Sequence, residues 1–132
     1  MVQKEFTYRG KTMKEIESMD LKEFMMMVPA RPRRSLKRGF TPAEKKLLEK
    51  IKKAKQGIWK KQIKTQCRNT VIIPEMVGLT IYVHKGKEYF PVPIVPEMLG
   101  HYLGEMTLTR QKVQHSAPGI GATKSSGAMS TK

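Results

Sequence analysis

"LTIYVHKGKEYFPVPI", residues 79–94, decides how this chain folds. Leu79, Ile81 and Val83 alternate with Thr80, Tyr82 and His84, the period of two that gives a strand one apolar and one polar face. Phe90, Val92 and Ile94 alternate in the same way with Tyr89, Pro91 and Pro93. The intervening "HKGK" carries a glycine suited to a left-handed turn position, so the two runs predict a hairpin. Pro91 and Pro93 lack N–H donors on the same side of their strand, which must therefore lie at an edge. With "NTVII" before Pro74 as a third short run, strands are expected at about 70–73, 79–84 and 88–94.

Around this frame the sequence predicts helices. "FTPAEKKLLEKIKKAKQG" (40–57) has Thr41 as N-cap, Pro42 at the first helical position, Glu44 completing a capping box and Gly57 as the stop. Ala43, Leu47, Leu48, Ile51 and Ala54 make an apolar stripe, and lysines cover the rest. "SMDLKEFMMMVP" (18–29) reads as a short amphipathic helix capped by Asp20 and ending before Pro29, its methionines packing in a core or on a protein. "VPEMLGHYLGEM" (95–106) reads as a short helix from Pro96 to Gly104. "ARPRRSLKRGF" (30–40) reads as extended or irregular because of Pro32 and Gly39.

The fold class expected is α+β: a small three-stranded mixed sheet with helices packed on one face, plus extended basic N-terminal and C-terminal segments. The expected organisation is an N-terminal extension with a short helix (1–30), an α+β core (31–110) and a flexible basic tail (111–132). Such a core buries only about 60% of its unfolded surface, so contact with RNA or protein is expected to complete it.

Charge is distributed in blocks. The chain has 26 lysines and arginines against 11 acids, a formal net charge of +15, yet residues 1–30 hold five cations and five acids, and residues 69–109 two and four. Residues 31–68 hold fifteen cations and two acids, and residues 110–132 four cations and no acid. A near-neutral frame therefore carries a cationic block, the footprint of a polyanion partner, with nucleic acid first among candidates. Arginine forks in "RPRRSLKR" suit bidentate phosphate contacts.

Other chemistry finds little footing. The longest apolar run, "FMMMV", is far short of the ~18 residues a membrane span needs. An N-terminus mixing Lys4, Glu5 and Arg9 is not a secretory signal, so the cytoplasm is expected. Cys67 is the only cysteine, which excludes an intrachain disulfide and a multi-cysteine metal site. His84, His101 and His115 have no paired ligand spacing, so no metal or other cofactor is expected. "GIGATKSS" is similar to a phosphate-binding loop but has Thr123 where that loop needs glycine. Gly100 and Gly104 are expected to permit close backbone approach. No catalytic constellation is present, and an enzyme is not expected.

The stretch "CRNTVIIPEMVGLTIYVHKGKEYFPVPIVPEMLGHYLGEMTLTR", with "RSLKRG" upstream, closely resembles the universal small-subunit ribosomal protein of the S-nineteen family, over about residues 33–110. The extension 1–30 and the tail "HSAPGIGATKSS" resemble the archaeal and eukaryotic branch, and the compact form an archaeal member. The resemblance implies a structural and assembly component of the small-subunit head. It would bind the 3′ domain of small-subunit rRNA beside the neighbouring protein of the S-thirteen family, with its tail towards the decoding region and tRNA. Carried over by position, the rRNA-facing candidates are Arg33, Arg34, Ser35, Lys37, Arg38, Lys64, Arg68, Gly86, Lys87, His101 and Arg110. Lys112, His115 and Lys124 are the tail candidates, with Arg110 also near that region. Lys85 stands where many members have asparagine, which favours a three-residue hairpin loop with Gly86 in a bulge.

On the residues alone, lysines and arginines neutralise phosphates irrespective of sequence, while irregular segments recognise folded RNA by shape. A DNA-compacting chromosomal protein would fit the charge but would bind any duplex equally, and a small RNA-modifying enzyme lacks its reactive groups. Replacing Arg33 and Arg34 by glutamate is expected to block assembly while leaving the fold intact.

Overall fold

β4 (Thr80–His84) and β5 (Tyr89–Pro93) form the expected hairpin, with Thr80 opposite Pro93 and His84 opposite Tyr89. The computed structural model describes residues 5–114. Ile81, Val83 and Val92 are buried on one face of the hairpin, and β5, with its two prolines, is an edge as predicted. The amide of Lys85 donates to the Glu88 carbonyl (2.9 Å), so only Gly86 and Lys87 remain at the tip. Gly86 has φ +105° and Lys87 has no positive φ, so the turn is a two-residue one and not the expected three-residue loop.

The third strand is not where the sequence put it. β3 (Ile63–Thr65) runs parallel to β4, Ile63 beside Ile81 and Thr65 beside Val83, and gives the sheet the order β3-β4-β5. Residues 70–73 instead pair outside the sheet with the segment around 100–104. Leu103 N–H donates to Thr70 O (3.0 Å), Ile72 N–H to His101 O (2.7 Å) and Gly100 N–H to Ile72 O (3.1 Å). The edge of β4 that "NTVII" would have used is taken by β3, and its backbone finds partners in an irregular ladder with one bridge, Val71 to Tyr102. That pairing also explains why residues 95–106 are not one helix. Two single 3₁₀ turns, Pro96–Met98 and Leu103–Met106, flank a bend at His101 and an extended Tyr102, and Gly100 at φ +79° breaks the first turn.

Ahead of the sheet come β1 (Thr7–Tyr8) and β2 (Lys11–Thr12), α1 (Met13–Ser18), α2 (Leu21–Met27), α3 (Ala30–Lys37) and α4 (Pro42–Lys55). Asp20 is the N-cap of α2 and the helix ends before Pro29, as predicted. The region expected to be extended is helix α3. Pro32 is its third residue, where its missing N–H has no intrahelical partner to lose. Gly39 (φ +84°) lies just past the Arg38 C-cap, so both supposed breakers are boundary residues. In α4 the capping box forms as predicted: Thr41 N–H donates to Glu44 Oε2 (2.7 Å) and Glu44 N–H to Thr41 Oγ1 (3.4 Å). Leu47 and Ile51 are buried, but Ala43 is exposed and the core-facing position belongs to Glu44, whose Oε1 accepts from the Thr70 hydroxyl (3.4 Å).

Ile16, Phe24 and Val28 from the first thirty residues lie in the same apolar cluster as Ile63, Ile81, Val83 and Leu103. Gly100 leaves room for this docking, and Gly104 leaves room for Arg68. A Cβ on Gly100 would lie 2.9 Å from Tyr8 Oη and 3.3 Å from Val28 Cγ1, and one on Gly104 would lie 2.9 Å from the Arg68 carbonyl oxygen. Gly104 thus admits close backbone approach, as expected, whereas Gly100 is approached by side chains.

Gly57 provides a control, with φ +75° and open space around its Cα. Gly57→Ala should cost about 1 kcal/mol for the left-handed backbone. Gly100→Ala should cost about 1–2 kcal/mol more, because Tyr8 and Val28 must move. Urea unfolding of the two variants measures the difference, and equal losses would contradict the packing.

Candidate nucleic-acid interface

Helix α3 buries Pro32 and Leu36 and exposes Arg31, Arg34, Lys37 and Arg38. Positions 31, 34 and 38 share a helix side, so the fold turns a run of basic sequence into one cationic surface. Lys37 and Arg34 in the last turn also lie favourably at the negative end of the helix dipole. Arg31 and Arg38 border an open cleft of about 550 Å³ shared with Ser35, Phe40, Asn69 and Tyr102. The Ser35 hydroxyl is held there by Tyr102 Oη at 2.7 Å. Six lysines of α4, five of them exposed and Lys50 half-buried, continue the positive field.

Two of the sequence candidates carry structural work that the sequence did not disclose. Arg33 is half-buried, and its guanidinium donates to three carbonyls at the end of α2: Nε to Met25 O (3.1 Å), Nη2 to Met26 O (3.0 Å) and Val28 O (3.0 Å). These are the acceptors a helix C-terminus leaves without partners. Arg33 is therefore a C-cap supplied from the next helix, and the expectation that its replacement leaves the fold intact is corrected. Arg68 goes further. Its Nη1 donates to His84 O and Thr107 Oγ1, each at 2.7 Å, and its Nη2 to Gly104 O (2.7 Å) and Thr107 O (2.6 Å). The fork joins the end of β4 to the chain after the Leu103–Met106 turn.

The other candidates lie at the ends of the sheet. Lys87 is exposed at the hairpin tip beside Gly86, whose amide donates to His84 Nδ1 (3.1 Å). Lys85 pairs with Glu88 (2.7 Å) and sits 5.6 Å from the Phe90 ring. The hydrogen bond from Lys85, then its charge, and lastly the charge of Lys87 hold the Glu88 carboxyl below its ordinary 4.5, against a small opposing effect of desolvation. A groove of about 460 Å³ brings Lys85 and Phe90 together with Leu108, Arg110 and Lys112. His101 is exposed, its Nδ1 2.7 Å from Glu105 Oε2. Since a carboxylate only accepts, Nδ1 carries the proton. Lys64 lies apart from these, facing α4. His115 and Lys124 lie outside the described residues.

Sequence reasoning missed the aromatics that accompany these cations. Lys64 Nζ is 5.6 Å from the Tyr89 ring centre, and His84 packs edge-on to the same ring at 4.9 Å. The signal was the polar face of the hairpin, where Tyr82, His84 and Tyr89 alternate with the core residues. Among the described residues no group of three or more His, Cys, Asp or Glu is placed to hold a metal ion, and no helix is long and apolar enough to cross a membrane.

An α+β frame whose exposed cations gather on helix surfaces and loop tips defines a polyanion-binding structural protein. The profile of the ribosomal protein S19 family matches residues 34–115. The chain is also 51% identical over 124 residues to the small ribosomal subunit protein uS19 of Saccharolobus solfataricus, covering 93% of this chain and 89% of that protein. The chain belongs to the ribosomal protein S19 family, whose members are structural and non-enzymatic components of the ribosome.

Arg33 and Arg34 should part company when replaced. Arg33→Ala should lose about 2–3 kcal/mol in chemical unfolding, because three carbonyls lose a charged donor. Arg34→Ala should stay within about 0.5 kcal/mol. At the hairpin, Glu88 is ionised down to a lower pH in the folded chain than in the unfolded one. The pairing with Lys85 therefore adds stability above the unfolded value and loses it as pH falls through the depressed one. NMR titration should place Glu88 below 4.5, and Lys85→Met should return it towards 4.5.

Proposed function

We propose that the protein is a structural component of the small-subunit head that binds the 3′ domain of small-subunit rRNA. The carrying observation is α3, which presents Arg31, Arg34, Lys37 and Arg38 on an acid-free helix anchored to the core by Pro32 and Leu36. A helix so fixed positions its cations against phosphates without paying the ordering entropy that a loose basic segment would. Lys64, Gly86, Lys87, His101 and Arg110 extend the contact around the same body. The contribution of Arg33 and Arg68 is mainly to hold the surface in shape, since Nε and Nη2 of Arg33 and both Nη atoms of Arg68 are already bonded within the chain.

The organisation that suits this role is an α+β core over residues 31–110, an N-terminal extension over 1–30 that adds Ile16, Phe24 and Val28 to the apolar cluster of that core, and a basic tail over 111–132. Family membership supports a neighbouring head protein of the S-thirteen family as a partner and the cytoplasmic ribosome as the location. The cations Arg110, Lys112 and Lys124, with His115, suit a tail that runs to the decoding region and tRNA. As a member of a ribosomal family, the protein acts by supporting subunit assembly and translation.

The test is sedimentation of the tagged chain on sucrose gradients with a high-salt wash. The wild-type protein should remain with the small subunit. Arg34→Glu with Lys37→Glu should fold but fail to incorporate, and Arg34→Ala should lower the slope of log affinity against log salt by about one. Incorporation of the folded double variant at the wild-type level would refute the role given to α3.

A further inference from the structure

The cleft between α4 and β3 joins Lys64, already a candidate, to two lysines of α4 and an aromatic ring in one cationic site. Lys46 and Lys50, one turn apart on α4, and Lys64 on β3 line it together with Tyr89 and Gln66, around a volume of about 280 Å³. No carboxylate lines it. Lys64 and Tyr89 reach it from the sheet face opposite the core, since Lys64 is level with Tyr82 and Tyr89 with His84, in rows alternating with those of the buried residues. The Tyr89 ring is half-buried and fixed. Its hydroxyl is 3.4 Å from Gln66 Nε2, His84 packs on it edge-on at 78°, and Lys64 lies over it at 5.6 Å. His84 is itself set: Gly86 N–H donates to Nδ1, so in the neutral ring Nε2 carries the proton and is left as a donor.

We propose that this cleft takes a single unpaired nucleotide of the rRNA, with its phosphate among Lys46, Lys50 and Lys64 and its base against Tyr89; the proposal rests on the rRNA-binding reading above. Three lysines around a space that no carboxylate lines fit a phosphodiester, with Lys50, whose Nζ lies 5.8 Å from the Trp59 ring, turning from that ring to reach it. A pre-positioned aromatic ring among them fits a base, because stacking on such a ring is favourable for any base and needs no hydrogen-bond code. A base-paired duplex cannot offer its base faces to the ring. The ligand is therefore a looped-out or junction nucleotide, the kind of RNA element most accessible to proteins. Lys64 over the ring is the cation the base would displace, and on moving aside it remains within reach of the phosphate.

The experiment uses the full chain reconstituted with small-subunit rRNA, with thermal melts as a check on folding. Tyr89→Leu should weaken binding by about 5- to 150-fold, the range for loss of one base–aromatic stack. Tyr89→Phe should bind like wild type. In the Tyr89→Leu particle one unpaired nucleotide should gain chemical reactivity, and a photo-crosslinking amino acid placed at position 89 should join to that nucleotide. Wild-type affinity and an unchanged reactivity pattern in Tyr89→Leu would overturn the cleft assignment while leaving rRNA binding in place. Crosslinks to a neighbouring protein would overturn it too, giving the cleft a protein occupant. Failure of the wild-type chain to bind the rRNA would overturn the reading beneath it.

Discussion

Four hydrogen bonds from the Arg68 guanidinium hold the far end of the molecule together. The chain between β3 and β4 and the chain after β5 are largely irregular, and neither can satisfy its backbone polar groups alone. Arg68 meets them from both sides. Its carbonyl accepts from Gly104 N–H at 2.8 Å while its side chain bonds Gly104 O and Thr107, so both ends of one residue bind the same short segment. Lysine would not replace it, because a single ammonium cannot present a planar fork to four acceptors. Gly104 follows from this geometry, since a side chain there would collide with Arg68.

Glu44 does comparable work nearer the helices. It caps α4 through Thr41 and reaches Thr70, at the start of the segment that pairs with residues 100–104. Arg33 similarly joins α2 to α3. In a chain whose net charge is +15, several charged groups are thus internal fasteners, and the cations left exposed sit on a body whose shape those fasteners determine. The division is local: Arg33 and Arg34 are adjacent in sequence, but helical geometry points one at the carbonyls of α2 and the other at solvent.

The hairpin, α2 and α4 were legible because each combines a periodic pattern with a specific end signal. Residues 63–65 were not, because Ile63 and Thr65 are only two inward positions inside a basic run, too short a sample to show a period of two. α3 was hidden by Pro32 and Gly39, which break helices in the interior but suit their ends, so the error concerned position and not residue type. The exposed cations of the interface were legible from composition. The aromatic partners were not, because Tyr89 comes near Lys64 only through the sheet order β3-β4-β5, in which a parallel strand arrives from a distant part of the chain.

Tyr8 seats over Gly100, and Arg68 closes on Thr107. Both contacts join points separated by many residues, so the core cannot be finished from one end. A chain emerging during synthesis can form α4 early through its own capping box, but the N-terminal hairpin has nowhere to dock until residue 100 is available. Loop-closure entropy, more than helix propensity, then governs how fast the native state is reached. Until that closure the cationic block is already exposed while the near-neutral frame that should carry it is incomplete, so a nascent chain presents its charge before its shape.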